Sequence, residues 1–437
     1  MISGASSSTR RLRRWLRFIT RRYKSFTSDT ANLPPSRLTR GLKSGGRTGK
    51  TVSIIHAGLF PEFKNDGEWK QEVLENITSA IFDGTHQTPT YTESGIPFFS
   101  VENIISGSKN KFISKKDYLI ETAVNKPEQG DILITRIGNI GFSVLIDWDY
   151  DFSIYVTLAC IKQSANFNSQ YLHSFFQSDT YQKEILSKSL LNAAPRKINM
   201  NELRGTRVLL PNTLEQQKIA SCLSSLDKII TAQTEKLELL QNHKKGLMQN
   251  LFPQDGEKVP KFRFPEFLED GYWKRKILEE LFKIGNGRDY KHLNKGKIPV
   301  YGSGGYMISV DEYLYDGESV CIGRKGTIDK PMFLIGKFWT VDTLFYTHSF
   351  INCLPKFIHF IFQNINWRKH NEAGGVPSLS KSNIYKIEIY LPEVQEQQKI
   401  VSCLSSLDNL IAAQTEKIEQ LKSHKKGLMQ GLFPIFK

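Results

Sequence analysis

A 44-residue stretch of this 437-residue chain occurs twice, 181 residues apart, with 32 positions identical. Residues 210–253 read LPNTLEQQKIASCLSSLDKIITAQTEKLELLQNHKKGLMQNLFP, and residues 391–434 read LPEVQEQQKIVSCLSSLDNLIAAQTEKIEQLKSHKKGLMQGLFP. A shorter repeat precedes each: FPEFKNDGEWKQEVLENI from Phe60 against FPEFLEDGYWKRKILEEL from Phe264, with 10 of 18 positions identical. Its offset is 204, so the stretch between the repeats is 23 residues longer in the first half. Duplication on this scale fixes the plan before any other feature is considered. The chain is two copies of an entry segment, a variable domain and a long helix.

The long helices follow from their period. Ile219, Leu223, Leu226, Ile230, Gln233, Leu237, Leu240, Lys244, Leu247 and Leu251 advance by four and three alternately. Ile400, Leu404, Leu407, Ile411, Gln414, Ile418, Leu421, Lys425, Leu428 and Leu432 do the same in the second copy. An average period of 3.5 residues is a coiled-coil seam. Asn212 and Glu215 have capping-box spacing, and Pro253 and Pro434 stand where each helix should stop. A helix of roughly 39 residues is a rod of about 58 Å. Two such seams in one chain can pair, through Leu223, Leu226, Ile230, Leu237 and Leu240 on one helix and Leu404, Leu407, Ile411, Ile418 and Leu421 on the other. Gln233, Gln414, Lys244 and Lys425 are the polar seam positions that would fix register. The alternative is that each stripe packs only onto its own domain.

Between the repeats, roughly 78–209 and 282–390, the pattern is mixed α/β. Strand-like runs Asp131–Ile137, Phe152–Ile161 and Ser319–Ile322 are punctuated by Gly, Pro and Asn turns, while Tyr171–Phe176 and Phe357–Phe362 look like helix faces. The two segments share little sequence. The expected fold is therefore two mixed α/β domains separated by two long antiparallel coiled-coil helices, with pseudo-two-fold symmetry. The boundaries are a basic leader (1–58), domain one (59–209), helix one (210–253), a linker (254–263), domain two (264–390) and helix two (391–437).

Charge needs mapping before it means anything. The net charge is +15, but residues 1–58 hold thirteen Lys/Arg against the single acid Asp29, leaving 46 basic and 43 acidic residues in the rest. The high pI is thus weak evidence for DNA binding by the body of the protein. The leader reads as disordered or as a mis-started translation, with a functional basic arm as the alternative. Its Arg13-Arg14 and Arg21-Arg22 pairs lack the apolar run of an export signal, and GGRTGKT at 45–51 lacks phosphate-loop spacing. No apolar run approaches the ~18 residues of a membrane span. Five scattered cysteines without a C-x-x-C pair fit a reducing cytoplasm.

The motifs of the frame are similar to those of the specificity (S) subunit of type I restriction-modification systems. The resemblance covers residues 59–437 and rests on EQQKI at each helix start, HKKGLMQ-x-LFP at each helix end and FPEF-x-x-DG-x-W at each domain entry. DGTHQTP (83–89) with GDILITRIGNIG (130–141) resembles one target-recognition type. KIPVYGSGG (297–305), IGRKGTIDKP (322–331) and FWTVDTLFY (338–346) resemble another. The resemblance implies two target-recognition domains, each reading half of a bipartite double-stranded DNA site. It also implies helices that act as a spacer and as docking surface for two methyltransferase (M) subunits. Restriction (R) subunits complete such a complex, and S-adenosylmethionine, ATP and Mg are expected on those partners, with no cofactor in this chain. Readers about 58 Å apart, less the embedded helix ends, can meet major-groove faces roughly 34–36 Å apart.

Candidate DNA contacts are then donors and acceptors on domain loops. In the first domain these are Thr85, His86, Gln87 and Thr88 in a turn, Arg136 and Asn139 beside Gly138, and Arg196 and Lys197 after Pro195. In the second they are Arg288, Tyr301, Ser303, Arg324, Lys325 and Lys381. Arg and Lys can take guanine O6/N7, and Asn and Gln adenine N6/N7, while the same side chains on phosphate position without specifying. No catalytic residue and no metal site is expected. The N/D-P-P-Y/F loop of adenine methyltransferases is missing, Asn32-Leu33-Pro34-Pro35 being a poor approach to it. Glu68-x-Lys70 lacks a second nuclease acid, and the nine histidines are scattered. A fused restriction-methylation enzyme and a coiled-coil adaptor that does not bind DNA are the rival readings.

Overall fold

The structure is a computed structural model describing residues 60–254 and 257–436. The leader 1–58, with its arginine pairs and glycine-rich stretch, lies outside the described residues, as do Asp255 and Gly256 of the linker. From Glu62 onward the chain is one compact unit.

The first domain contains β1 (Lys70–Val73), β2 (Ile81–Asp83), β3 (Ile96–Phe99), β4 (Phe112–Ile113) and β5 (Ile132–Thr135). After these come β6 (Ser143–Leu145), β7 (Ser153–Ile154), β8 (Leu158–Ile161) and β9 (Arg207–Leu210). One sheet has the order β2-β8-β5-β6, another β4-β3-β7, and β1 pairs with β9 to tie the domain's entry to its exit. All four residues of β5 and of β8 are buried, which their unbroken apolar runs require. The strand-like run 152–161 proves to be two strands. β7 joins one sheet and β8 the other, with a turn closed by Leu158 N donating to Tyr155 O at 2.9 Å. Helices α1 (Ser169–Phe176) and α2 (Asp179–Ser187) are capped by Asn168 and Ser178, whose side chains accept from the Tyr171 and Tyr181 amides. Next comes α3 (Thr213–Asn250), capped by Asn212 Oδ1 accepting from Glu215 N at 2.9 Å.

The second domain begins with β10 (Lys274–Ile277), β11 (Lys283–Asn286), β12 (Lys295–Gly302), β13 (Gly305–Val310) and β14 (Tyr315–Asp316). It continues with β15 (Ser319–Gly323), β16 (Met332–Leu334), β17 (Lys337–Thr340), β18 (Leu344–His348) and β19 (Glu388–Leu391). Helix α4 (Pro355–Asn364) precedes β19, and α5 (Val394–Leu432) follows it. The sheet order β11-β18-β15-β16 repeats β2-β8-β5-β6, and β13-β12-β17-β14 repeats β4-β3-β7 with one strand added. In both smaller sheets the central strand pairs antiparallel on one side and parallel on the other. The two segments share little sequence, yet the order and pairing of the strands they share are the same.

Each long helix grips its own domain in the same way. Trp69 Nε1 donates to Glu215 at 3.0 Å, and Trp273 Nε1 to Glu396 at 3.2 Å. The buried amides of Gln216 and Gln397 each accept a backbone N–H at 2.9 Å, from Asn168 and Leu354, and donate to the Pro211 and Pro392 carbonyls. The far end of each helix docks on the other domain. Met248, Leu251 and Phe252 of the first helix segment lie in one core with Trp273, Phe357, Ile400 and Leu404. Phe433 meets Trp69, Tyr171 and Phe175 at ring distances of 6.4, 6.0 and 5.6 Å.

Between these ends α3 and α5 lie against each other. Gln414 Nε2 donates to the carbonyl and side-chain oxygens of Gln233, both at 2.9 Å. Lys244 pairs with Asp408, and Lys425 with Asp227, both at 2.6 Å. Late residues of one helix thus meet early residues of the other, so the helices run in opposite directions. The seam leucines and isoleucines are buried or half-buried, whereas Leu239, off the seam, is 70% exposed.

The domain helices add a histidine on each side, half-buried at His173 and buried at His359. His173 contacts Gln177 at 3.0 Å and His359 contacts Gln363 at 2.9 Å, and the Nδ1 of His359 has no hydrogen-bond partner. Burial, reinforced by Lys356 and Lys244, pushes His359 down to about 3. The unfolded chain takes up this proton near 6.5 and the folded chain does not, so stability falls as pH drops from 6.5 toward 3. His359→Gln is expected to flatten the dependence of melting temperature on pH in that window, and an unchanged slope would contradict the assignment. Leu404→Ala, at a fully buried position, should cost about 2–5 kcal/mol, and Leu239→Ala under about 0.5 kcal/mol, by denaturant unfolding.

Candidate nucleic-acid interface

Three polar segments meet at the end of β2 and β5 in the first domain. The turn 83–89 is fixed by Thr85, whose N donates to Ile154 O at 3.0 Å and whose O accepts from Val156 N at 3.0 Å. Gly84 makes this possible, since a Cβ there would lie 1.9 Å from the Ile154 carbonyl oxygen. The loop after β5 is tied to the loop before Ile198 by Gly138 N donating to Arg196 O at 2.8 Å and Ile198 N to Arg136 O at 2.9 Å.

The second domain repeats this backbone. Arg288 N donates to Thr340 O at 2.8 Å, and a Cβ at Gly287 would lie 1.9 Å from Val341 O. Gly326 N donates to Pro377 O at 2.9 Å, and Leu379 N to Arg324 O at 2.9 Å. Arg136 N and Arg324 N donate to the carbonyls of Thr157 and Thr343. Thr85 and Arg288 therefore occupy equivalent positions, and so do Arg136 and Arg324.

The side chains at these equivalent positions differ. Arg136 is buried, with Nη1 2.7 Å from Asp83 Oδ2 and 3.0 Å from Val156 O. The expectation of a DNA contact is corrected for this residue: its guanidinium is a strut that pins the 83–89 turn. Asp83 also holds His86 at 3.0 Å. In the second domain Asn286 stands where Asp83 stands in the first, and Arg324 is exposed, its guanidinium unpaired among the described residues.

Gln87, Thr88, Asn139, Arg196 and Lys197 are exposed on the first face, with the Thr88 hydroxyl 3.4 Å from that of Tyr155. On the second face Arg288 and Lys325 are exposed, and Tyr301 and Ser303 are half-buried. Lys381 is partly spent, its Nζ donating to Ile284 O at 2.7 Å. Burial holds its pKa below the ordinary lysine value, and the Arg324 charge adds to this. His348 is lowered likewise, by burial and then by Lys381 and Lys283. The second face is thus a cluster of cations acting on one another, the arrangement that an anionic partner relieves. Sequence reasoning missed Asp83, whose pairing spans 53 residues, and the hairpin strand beginning at Gly305. The glycine-rich GSGG stretch at 302–305 was the available signal for that hairpin.

Among the described residues no group of three His, Cys, Asp or Glu side chains is placed to hold a metal ion. No described helix is long and apolar enough to cross a membrane. Two equivalent polar and basic loop faces on a duplicated frame define a two-headed recognition protein. The model of the type I restriction modification DNA specificity domain matches residues 74–242 and 271–423, so the chain belongs to that family and has two recognition domains. It is 25% identical over 409 residues to the MjaX specificity subunit of Methanocaldococcus jannaschii, covering 86% of this chain and 94% of that one. It is 23% identical to the type I restriction enzyme MjaVIII specificity subunit of the same organism, covering 78% and 85%. The type I restriction-modification S subunit from M. genitalium shares its fold, with a TM-score of 0.60 at 17% identity over 85% of this chain and 98% of that one.

The contrast between the two arginines is measurable. Arg136→Ala removes the guanidinium that Asp83, Val156 and Ile198 share and should cost about 1.5–3 kcal/mol, whereas Arg324→Ala should stay within about 0.5 kcal/mol. Thermal melts of the two variants give the comparison, and equal losses would contradict the assignment of Arg136 as a strut.

Proposed function

We propose that the two loop faces read the two halves of a bipartite duplex DNA site. In this reading α3 and α5 form an antiparallel coiled-coil spacer with pseudo-two-fold symmetry. The observation that carries it is the recurrence of one backbone frame, with Thr85 and Arg288, and Arg136 and Arg324, at equivalent positions under different side chains. The same frame can present the two halves of a duplex site to equivalent loops, while the changed side chains let those halves differ. The two lysine–aspartate pairs between the helices support the symmetry, since each is the repeat counterpart of the other. Such a spacer is stiff and sets the gap between half-sites.

The chain acts as the non-catalytic DNA-reading member of a complex with two M subunits and with R subunits, in the cytoplasm. Adenine methylation with S-adenosylmethionine and ATP- and Mg-dependent restriction belong to those partners. On the first face Thr85, His86, Gln87, Thr88, Asn139, Arg196 and Lys197 supply the contacts. On the second, Arg288, Tyr301, Ser303, Arg324, Lys325 and Lys381 do so. Arg324 is the strongest candidate for a bidentate guanine contact, worth about 1–3 kcal/mol of discrimination.

Methylome sequencing of cells carrying this chain with its methyltransferase gives the motif. Arg324→Ala should then relax one base of one half-site and leave the other half and the gap unchanged. Exchange of residues 282–390 for another subunit's domain should replace that half-site alone. Uniform weakening across all site variants, with a salt slope reduced by about one, would reassign Arg324 to phosphate. Alteration of both half-sites by the exchange would contradict independent reading.

A further inference from the structure

The second domain carries an exposed apolar edge strand where the equivalent β4 of the first is buried or half-buried. Along β13, an edge strand, three consecutive side chains face solvent: Tyr306 (62% exposed), Met307 (49%) and Ile308 (44%). Edge strands with such residues are a liability that folded proteins ordinarily blunt with charge or cover. The hairpin turn before it, Gly302-Ser303-Gly304-Gly305, has almost no side-chain bulk, and Gly305 adopts φ +114°. A turn built this way can bring its backbone close to a large partner.

The surroundings identify that partner. Tyr301, on β12, accepts from Val341 N at 3.0 Å and pairs in register with Thr340, the residue whose carbonyl fixes Arg288. A Cβ on Gly326 would lie 3.3 Å from the Ser303 hydroxyl, so the hairpin turn abuts the loop that carries Arg324 and Lys325. The Tyr306 ring rests edge-on against Tyr301, with 6.2 Å between centroids, and its hydroxyl lies 3.1 Å from that of Ser309. An apolar ridge thus projects beside exposed guanidinium and ammonium groups. Cations flanking an apolar blade suit a duplex, whose phosphates take the cations while the blade meets stacked bases.

The geometry points to Tyr306, with Met307 beside it, as a wedge that enters the duplex next to the second half-site and unstacks one base step. This rests on the second face being a DNA reader. It adds that the face deforms the DNA it reads, so that selectivity at the wedged step comes from ease of unstacking as well as from hydrogen bonds. Pyrimidine–purine steps unstack most readily and are the steps it would favour.

The test uses the full chain with its methyltransferase and a labelled duplex carrying the motif found by methylome sequencing. 2-Aminopurine is placed in turn at each position in and beside the second half-site. The expected result is a fluorescence rise at one step with the native chain. It should be lost in Tyr306→Ala and Met307→Ala and kept in Tyr306→Phe, with affinity falling on the order of 5- to 150-fold in Tyr306→Ala. Arg324→Ala is the control for the face itself. If Arg324→Ala weakens binding while Tyr306→Ala changes neither affinity nor fluorescence, the wedge is overturned and the reading face stands. If neither variant changes binding, both fail. If Tyr306→Ala instead abolishes self-association in sedimentation with DNA affinity intact, the ridge covers a second copy of this chain and the wedge is again overturned. Melting temperatures of the variants establish that the domain remains folded.

Discussion

The structure depends on how each long helix is fastened to its domain. Glu215 and Glu396 accept from the indole N–H of the entry tryptophans, while Gln216 and Gln397 bridge a domain backbone amide to the proline carbonyl before the helix. These groups are buried, so an unmade hydrogen bond would carry a full desolvation penalty. In the second domain Arg263 adds a two-pronged contact to Glu396, at 2.8 and 2.7 Å. A joint with this many directional bonds fixes an angle as well as a position. Under the proposed spacer role, such joints are what would let the paired helices hold a distance.

Fixed joints permit variation elsewhere. The backbone that presents the two faces is held by main-chain bonds to strands and by Gly84 and Gly287, and none of these depends on which side chains project. The first domain has Asp83 beside a pinned guanidinium, and the second has Asn286 at the equivalent position and an exposed Arg324. Under the proposed function, recognition changes by altering side chains on a scaffold that does not need to be redesigned.

The helices were legible in the sequence because their signal is local and doubled: the four-three spacing of Leu223 through Leu240 recurs from Leu404 to Leu421. The strand order was not. β2 and β8 pair across some 80 residues of chain, and no short-range pattern reports such partners. The loops were legible as loops, with Thr85, Asn139, Arg196, Arg288 and Arg324 each in a polar turn. Whether a given arginine faces outward depended on a carboxylate far away in sequence, so Arg136 and Arg324 looked alike until the fold brought Asp83 to one and Asn286 to the other. The hairpin ridge was hidden for a different reason. Tyr306, Met307 and Ile308 are apolar or aromatic residues of a kind that strands usually bury, and the edge position of their strand exposes them.

The docking of each helix end on the opposite domain carries a consequence for how the chain is made. Thr180 donates to the carbonyl of Pro434, 254 residues later, and Phe433 and Phe436 complete an aromatic cluster that begins with Trp69 and Tyr171. On a ribosome the first domain emerges with that socket open and keeps it open until Pro434, 254 residues after Thr180, has been added. The segment just after α5 is therefore what closes the aromatic core of the first domain. A chain cut before Phe433 keeps the loops of both candidate faces but leaves the rings of Trp69, Tyr171 and Phe175 without the cover of Phe433 and Phe436.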